Sequence, residues 1–261
     1  MAIVDLFTYN GEMQIARLHM AIMAPTVDRF IIVEANKTFS GKDKPLYFFR
    51  DQRYFKEWWN KIDYYVMNDW DDPLVWQQAV ESPNTKGASH WKREFYIKEC
   101  IHKAMEEFKV QDTDLVFIGD VDEVVDIASI KELPTPTKAK LRVYTYWLNN
   151  RSTEVFHGTL IALYKDIKDK CLNHLRSDKT LYSDRYLGWH FTSQGGQNEV
   201  RRKLEDSYTN ETLHTTVLQY LDENMKISRD FLGRDFTFIV DESEWPQYLK
   251  DNKAKYKALC R

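Results

Sequence analysis

The chain has 261 residues, with 37 Lys and Arg against 40 Asp and Glu, for a formal net charge of −3. That near-neutral balance argues against a dedicated nucleic-acid binder. A mean hydropathy of −0.59 and the absence of any apolar run near ~18 residues argue against a membrane-spanning helix.

Residues 4–9, VDLFTY, read as a strand, and Asn10-Gly11 turns the chain. Residues 12–24 follow as a helix with Ile15, Leu18 and Ile22 in phase, ended by Pro25. Residues 28–34, DRFIIVE, form a continuous apolar run with charged ends, as a central parallel strand requires. Residues 36–53 are rich in Lys, Ser, Gly and Pro and read as a long functional loop. Residues 61–67 predict a third strand and residues 90–108 a long helix. Residues 114–119, DLVFIG, are a second buried strand that runs into Asp120-Val121-Asp122-Glu123. Residues 140–149 and 155–164 predict two more strands, and the chain from Gly195 onward reads as mostly helical. The alternation is that of an α/β protein with a mainly parallel sheet flanked by helices, here expected as one domain over residues 1–261. In open α/β sheets ligands bind beyond the carboxyl ends of the strands. Three polar clusters follow such ends: Asn10-Gly11-Glu12, Glu34-Ala35-Asn36 and the Asp120 cluster.

The Asp120 cluster carries the strongest chemistry. Alternation along an extended chain puts Asp120 and Asp122 on one side. Paired carboxylates suit Mg²⁺ or Mn²⁺ bridged to a diphosphate. Without its strand-end context the same pattern would read as a solvated turn. His190 supplies an imidazole suited to Mn²⁺, though a lone histidine between aromatics is more often a core residue. Lys203 lies on a helix after Gly195-Gly196, a turn that can admit phosphate, and its i,i+4 partner on that helix is Glu199. Arg93 and Glu94 open the 90–108 helix as a phosphate contact and a candidate base. Aromatics make up 14% of the chain, as bulky core or as sugar-stacking surface; Tyr144, Trp147 and Trp189 are the candidate platforms.

Five segments in order resemble glycosyltransferase family 17, which includes the β-1,4-mannosyl-glycoprotein 4-β-N-acetylglucosaminyltransferases. They are VDLFTYNGEMQIARL, FIIVEANKTFSGKDKPLYF, WKREFYIKECI, DLVFIGDVDEV and GWHFTSQGGQNEVRRKLEDS. Departures are Gly119 where the family usually has Ser, Val125 for Pro, Lys98-Glu99 at and after the Arg of the helix motif, and Thr209 where many members have His. The resemblance implies a GT-A-type inverting transferase that uses Mn²⁺ (or Mg²⁺) and a nucleotide sugar, UDP-GlcNAc being the family's expected donor, with a glycan as acceptor. It implies Asp120, Asp122 and His190 as metal ligands and Arg93 and Lys203 at the diphosphate. Phe7, Asn10, Glu12 and Glu34 would lie around the nucleoside. Residues 1–125 would form the donor half and residues 126–261 the acceptor half. The chain lacks the family's membrane anchor and stem, as expected of a soluble microbial or viral member.

The mechanism implied is direct displacement, with a general base drawn from Glu94, Glu123 or Glu154 and Glu94 preferred. A loop formed by residues 36–53 would close over the donor. Two other readings stand beside it: a nucleotidyltransferase acting on sugar phosphates, and a non-catalytic glycan-binding module. Cys100, Cys171 and Cys260 form no zinc spacing and suit a reducing compartment, and Met1 opens no basic-then-apolar leader, so a cytoplasmic location is expected.

Overall fold

The computed structural model describes residues 1–81, 91–130, 135–207 and 211–261. Among these residues the strands are β1 (Ile3–Thr8), β2 (Arg29–Ala35), β3 (Ile62–Met67), β4 (Leu115–Asp120), β5 (Glu123–Val125), β6 (Thr137–Thr145), β7 (Asn150–Leu163), β8 (Tyr182–Thr192) and β9 (Phe238–Val240). The helices are α1 (Met13–Met23), α2 (Tyr47–Asp51), α3 (Pro73–Glu81), α4 (Trp91–Glu99), α5 (Ile101–Glu107), α6 (Tyr164–Ile167), α7 (Leu172–Ser177), α8 (Gln197–Ser207), α9 (Glu211–Lys226) and α10 (Gln247–Asp251).

All nine strands join one sheet, in the order β3-β2-β1-β4-β7-β6-β8-β5, with β9 beside β7. The first four strands are parallel, as their apolar runs predict. Beyond β4 the sheet is mixed: β7 runs antiparallel to β4 and β6, whereas β6 and β8 are parallel. Alternation along the strands fills a core on each face. Phe7, Phe30, Ile32 and Phe117 pack with Ile15, Leu18 and Met20 of α1 on one side. Val4, Leu6, Ile31, Val33, Val116 and Ile118 pack with Tyr96, Ile97, Ile101 and Met105 on the other. A third cluster joins Tyr146 to Val200 and Leu204 of α8 and Leu221 of α9.

Several boundaries differ from the sequence expectation. The single helix expected over 90–108 is two, broken at Cys100, and His90 lies outside the described residues. The loop expected over 36–53 ends at residue 46; α2 and a 3₁₀ helix, Gln52–Lys61, take over. What remains of the loop is pinned by Lys37–Asp43 pairing and by the Ser40 N–H, which donates to the Asp206 carbonyl at 3.0 Å. The three cysteines are unpaired. Among the described residues, no helix is long and apolar enough to cross a membrane.

Candidate active site

The site forms where β1, β4 and β8 end together. Thr8 and Asp120 are register partners across β1 and β4, and the Thr8 hydroxyl donates to Asp120 Oδ1 at 3.2 Å. The chain then turns through Val121-Asp122 into β5, which pairs antiparallel with β8 and sets Glu123 opposite His190. That pairing carries the His190 ring to Asp122, with Nε2 3.5 Å from Oδ1. Past β8, Gly195 and Gly196 both take positive φ, +95° and +83°, a conformation open to glycine. This turn starts α8, whose Lys203 donates to Asp122 Oδ2 at 2.8 Å. His190 and Lys203 thus converge on Asp122.

Asp120 faces a different set of cations. Its Oδ2 accepts from Lys98 Nζ at 3.2 Å and Arg176 Nη2 at 3.4 Å, and Lys98 also donates to Glu94 Oε1 at 2.6 Å. Arg176 is brought in by α7. The buried Glu99 carboxylate anchors the start of that helix by accepting the Leu172 and Asn173 N–H groups at 3.1 and 2.6 Å. Burial opposes ionisation of Asp120, yet Lys98 and Arg176 hold it at about 2. Burial likewise opposes the Asp122 charge, and Lys203 and His190 outweigh it and hold that carboxyl well below its ordinary range. Lys203 and His190 are raised in return, against burial, chiefly by Asp122.

Two cavities open on this cluster. The larger, about 860 Å³, is lined by Thr8, Glu94, Lys98, Asp120, Arg176 and His190, among others. The smaller, about 500 Å³, lies over the start of α1 and includes Gln14, Arg53, Tyr54, Gln194 and Arg202. Glu12, Asp122, Ser193 and Lys203 line both.

Asn10 lines the larger cavity and Glu12 both. The Asn10 N–H donates to Glu12 Oε2 at 2.9 Å, and Asn10 Nδ2 to Asp206 Oδ2 at 3.2 Å. Phe7 and Glu34 are placed elsewhere. Phe7 is a core residue packed on the His19 ring, centroids 4.9 Å apart. Glu34 is wholly buried and accepts from Lys44 Nζ, the Tyr47 and Phe48 N–H groups and the Tyr64 hydroxyl, all within 2.7–2.9 Å. Four donors saturate it, so it holds the loop rather than facing either cavity. Arg93 lies against the Gly41 turn of the same loop.

Of the three base candidates only Glu94 lines a cavity. Glu123 is buried beneath the site, accepts from Thr159 Oγ1 at 2.9 Å, and is raised by burial and by Asp120. Glu154 is ion-paired with Arg234 at 2.9 Å. Gly119, the departure from the family's Ser, is explained by the same packing: a Cβ there would lie 2.6 Å from Thr159 Oγ1 and 2.8 Å from Glu123 Oε2. Lys98, another departure, is one of the two cations on Asp120, while Thr209 lies outside the described residues. Glu199 pairs with Arg202 at 3.0 Å, leaving Lys203 to Asp122.

The proposed sugar platforms are structural. Tyr144 and Trp189 are buried, the Trp189 indole donating to the Glu244 carbonyl at 2.6 Å, and Trp147 packs on the α8–α9 cluster. The Phe and Tyr rings that line the two cavities are Phe39, Phe95, Phe156, Tyr182, Phe231, Tyr54 and Phe191. Arg176 and Lys138 are cavity cations that carry no local motif. For the second, Lys138, Lys140 and Arg142 alternate in sequence, but the register of β6 shifts between Lys138 and Lys140, so alternation does not assign Lys138 a face.

The crystal structure of mouse xyloside xylosyltransferase 1, apo form, is similar over 69% of this chain and 72% of that one, at 8% identity and a TM-score of 0.35. No curated protein matches the chain significantly. The model of the family described as glycosyltransferase family 17 matches residues 1–194, three-quarters of the chain and all the strands that build the site. The chain belongs to glycosyltransferase family 17 and is a glycosyltransferase.

Proposed function

We propose that this enzyme moves a sugar from a nucleotide-sugar donor to a hydroxyl of a glycan, with inversion and with help from a divalent cation. The observation that carries the reading is the convergence of His190 and Lys203 on Asp122 at the carboxyl end of the sheet. UDP-GlcNAc is the donor expected from the family resemblance.

The residues suit Mn²⁺ or Mg²⁺. Asp122 Oδ1 and His190 Nε2 stand 3.5 Å apart, long for a hydrogen bond, and offer a hard oxygen beside an imidazole. The other ring nitrogen, Nδ1, is buried without a hydrogen-bond partner among the described residues. Among those residues no group of three or more His, Cys, Asp or Glu forms a complete cage. A cation held by one or two protein groups together with substrate phosphates needs no such cage. Asp122 and His190 would hold it, with Asp120 alongside. When bound, it supplies charge neutralisation for the departing nucleoside diphosphate.

The chain's own residues do the rest. Lys203, on α8, and Gly195, in the turn before that helix, line the same smaller cavity, and a helix start and an ammonium both favour phosphate. Lys98 adds a second positive charge beside Asp120. Glu94, on the cavity wall, takes the proton from the attacking acceptor hydroxyl. The test is thermal melting with a panel of UDP- and GDP-sugars, with and without Mn²⁺, because a ligand of the native state raises its stability. A UDP-sugar with Mn²⁺ should raise the melting temperature, and Asp122→Ala should lose both the shift and the transfer. Absence of any shift across the panel, or full Asp122→Ala activity in EDTA, would overturn the reading.

A further inference from the structure

On the wall of the larger cavity, on the Asp120 side, two cations stand close together. Lys138 is register partner of Tyr182 across β6 and β8, and only 4% of it is exposed. Its Nζ donates to the Arg176 carbonyl and lies 4.9 Å from the Tyr182 ring centre. Among the described residues it joins no ion pair. Of the nearby carboxylates, Asp178 accepts from the Thr180 N–H and hydroxyl, while Glu123 accepts from Thr159 through Oε2 and leaves Oε1 3.9 Å from Arg176 Nη2. Arg176 is the second cation. Its Nη2 reaches Asp120 at a long 3.4 Å, and its Nη1 is buried with no hydrogen-bond partner among the described residues. Both side chains line the cavity, and the exposed Lys179 stands at its rim.

A buried ammonium without a carboxylate and a guanidinium N–H without an acceptor are each costly. An anion between them relieves both, and a guanidinium suits carboxylate or phosphate oxygens. Beside them the His157 and Tyr182 rings stack at 4.0 Å and 7°, an aromatic wall that also lines the cavity. We propose that Lys138 and Arg176 form an anion subsite for the acceptor, so that the enzyme glycosylates an acidic sugar carrying a carboxylate or a phosphate. This rests on the donor reading above, which places the diphosphate at Asp122 and Lys203. Burial, with Arg176 alongside, pushes Lys138 down to about 8, in keeping with a charge that lacks its counter-ion.

The test is calorimetric titration of the protein, saturated with UDP and Mn²⁺, with four probes: methyl glucuronide, methyl glucoside, glucose 6-phosphate and glucose. One member of an anionic and neutral pair should bind about tenfold or more tighter than its neutral counterpart. Which pair shows the gap separates a carboxylate from a phosphate. Lys138→Met, and independently Lys138→Gln, should abolish that gap; the wild-type comparison needs no variant, and melting curves report folding. Equal binding of charged and neutral probes overturns the subsite. A loss of UDP affinity in both variants as large as the loss for the anionic probe also overturns it, since the anion would then be the donor's diphosphate. Failure of UDP itself to bind removes the donor reading, and this inference with it.

Discussion

His19 ties Asp5, in the middle of β1, to Val121, between the two aspartates of the site. Its Nε2 lies 2.7 Å from Asp5 Oδ2 and its Nδ1 3.0 Å from the Val121 carbonyl oxygen. Both partners are acceptors, so both ring nitrogens must donate, and only the imidazolium does that. Burial opposes the charge, but Asp5 and then the Val121 carbonyl outweigh it and raise the His19 pKa. A group raised on folding contributes stability that is complete below its unfolded pKa, about 6.5. That contribution fades as pH rises through the folded value. His19→Gln is expected to cost about 3 kcal/mol at pH 6, read by urea unfolding. The gap to the wild type should narrow at alkaline pH; a gap constant from pH 6 to pH 10 would show that His19 is not charged.

Glu34 plays the same kind of part for the loop after β2. Its ion pair with Lys44 at 2.7 Å is nearly inaccessible, at 0% and 4% side-chain exposure, and three further donors complete the shell. Removing the carboxylate strands a buried ammonium and two backbone N–H groups. Glu34→Ala should therefore lose about 3–5 kcal/mol in denaturant unfolding. A loss under ~1 kcal/mol, the range of an exposed pair, would mean that the loop is held by something else.

These two carboxylates show where the sequence is informative and where it stops. The strand-end rule located Asp120 and Asp122 because apolar runs and their charged exits are local features. The same rule marked Glu34, yet an acidic residue at a strand end looks alike whether it meets a ligand or a lysine ten positions on. Only the fold of residues 44–64 decides. Tyr144 and Trp189 illustrate the point for aromatics. They lie on neighbouring β6 and β8, but Glu244, more than fifty residues later, supplies the carbonyl that caps Trp189. Arg176 was not legible because a cap from Glu99, in another helix, aims its helix at Asp120.

The assignment of the base separates two glutamates. Glu94 lines the larger cavity, whereas Glu123 lies beneath it with its side chain fully buried and its pKa raised by burial and Asp120. Glu94→Gln keeps the shape and removes the basicity. It should lower kcat by about 10²–10⁴ while donor KM moves little. Glu123→Gln should keep its kcat within about tenfold of wild type, because its side chain is fully buried beneath the cavity and accepts from Thr159 instead. The reverse order of effects, measured as transfer at saturating donor, would reassign the role to Glu123.

Lys203 tests the leaving-group side. Its ammonium donates to Asp122 Oδ2 at 2.8 Å in the free protein, across the wall between the two cavities. A departing diphosphate offers it more negative charge than one carboxylate does, so its stabilisation grows toward the transition state. Lys203→Met should reduce kcat by about 10²–10³. It should cost stability as well, because it leaves the buried Asp122 carboxylate with His190 alone, so transfer is the deciding readout. A stability loss with transfer intact would make Lys203 a structural partner of Asp122 alone. Equal falls in kcat and in UDP affinity would instead assign it to binding the diphosphate in the ground state as well as in the transition state.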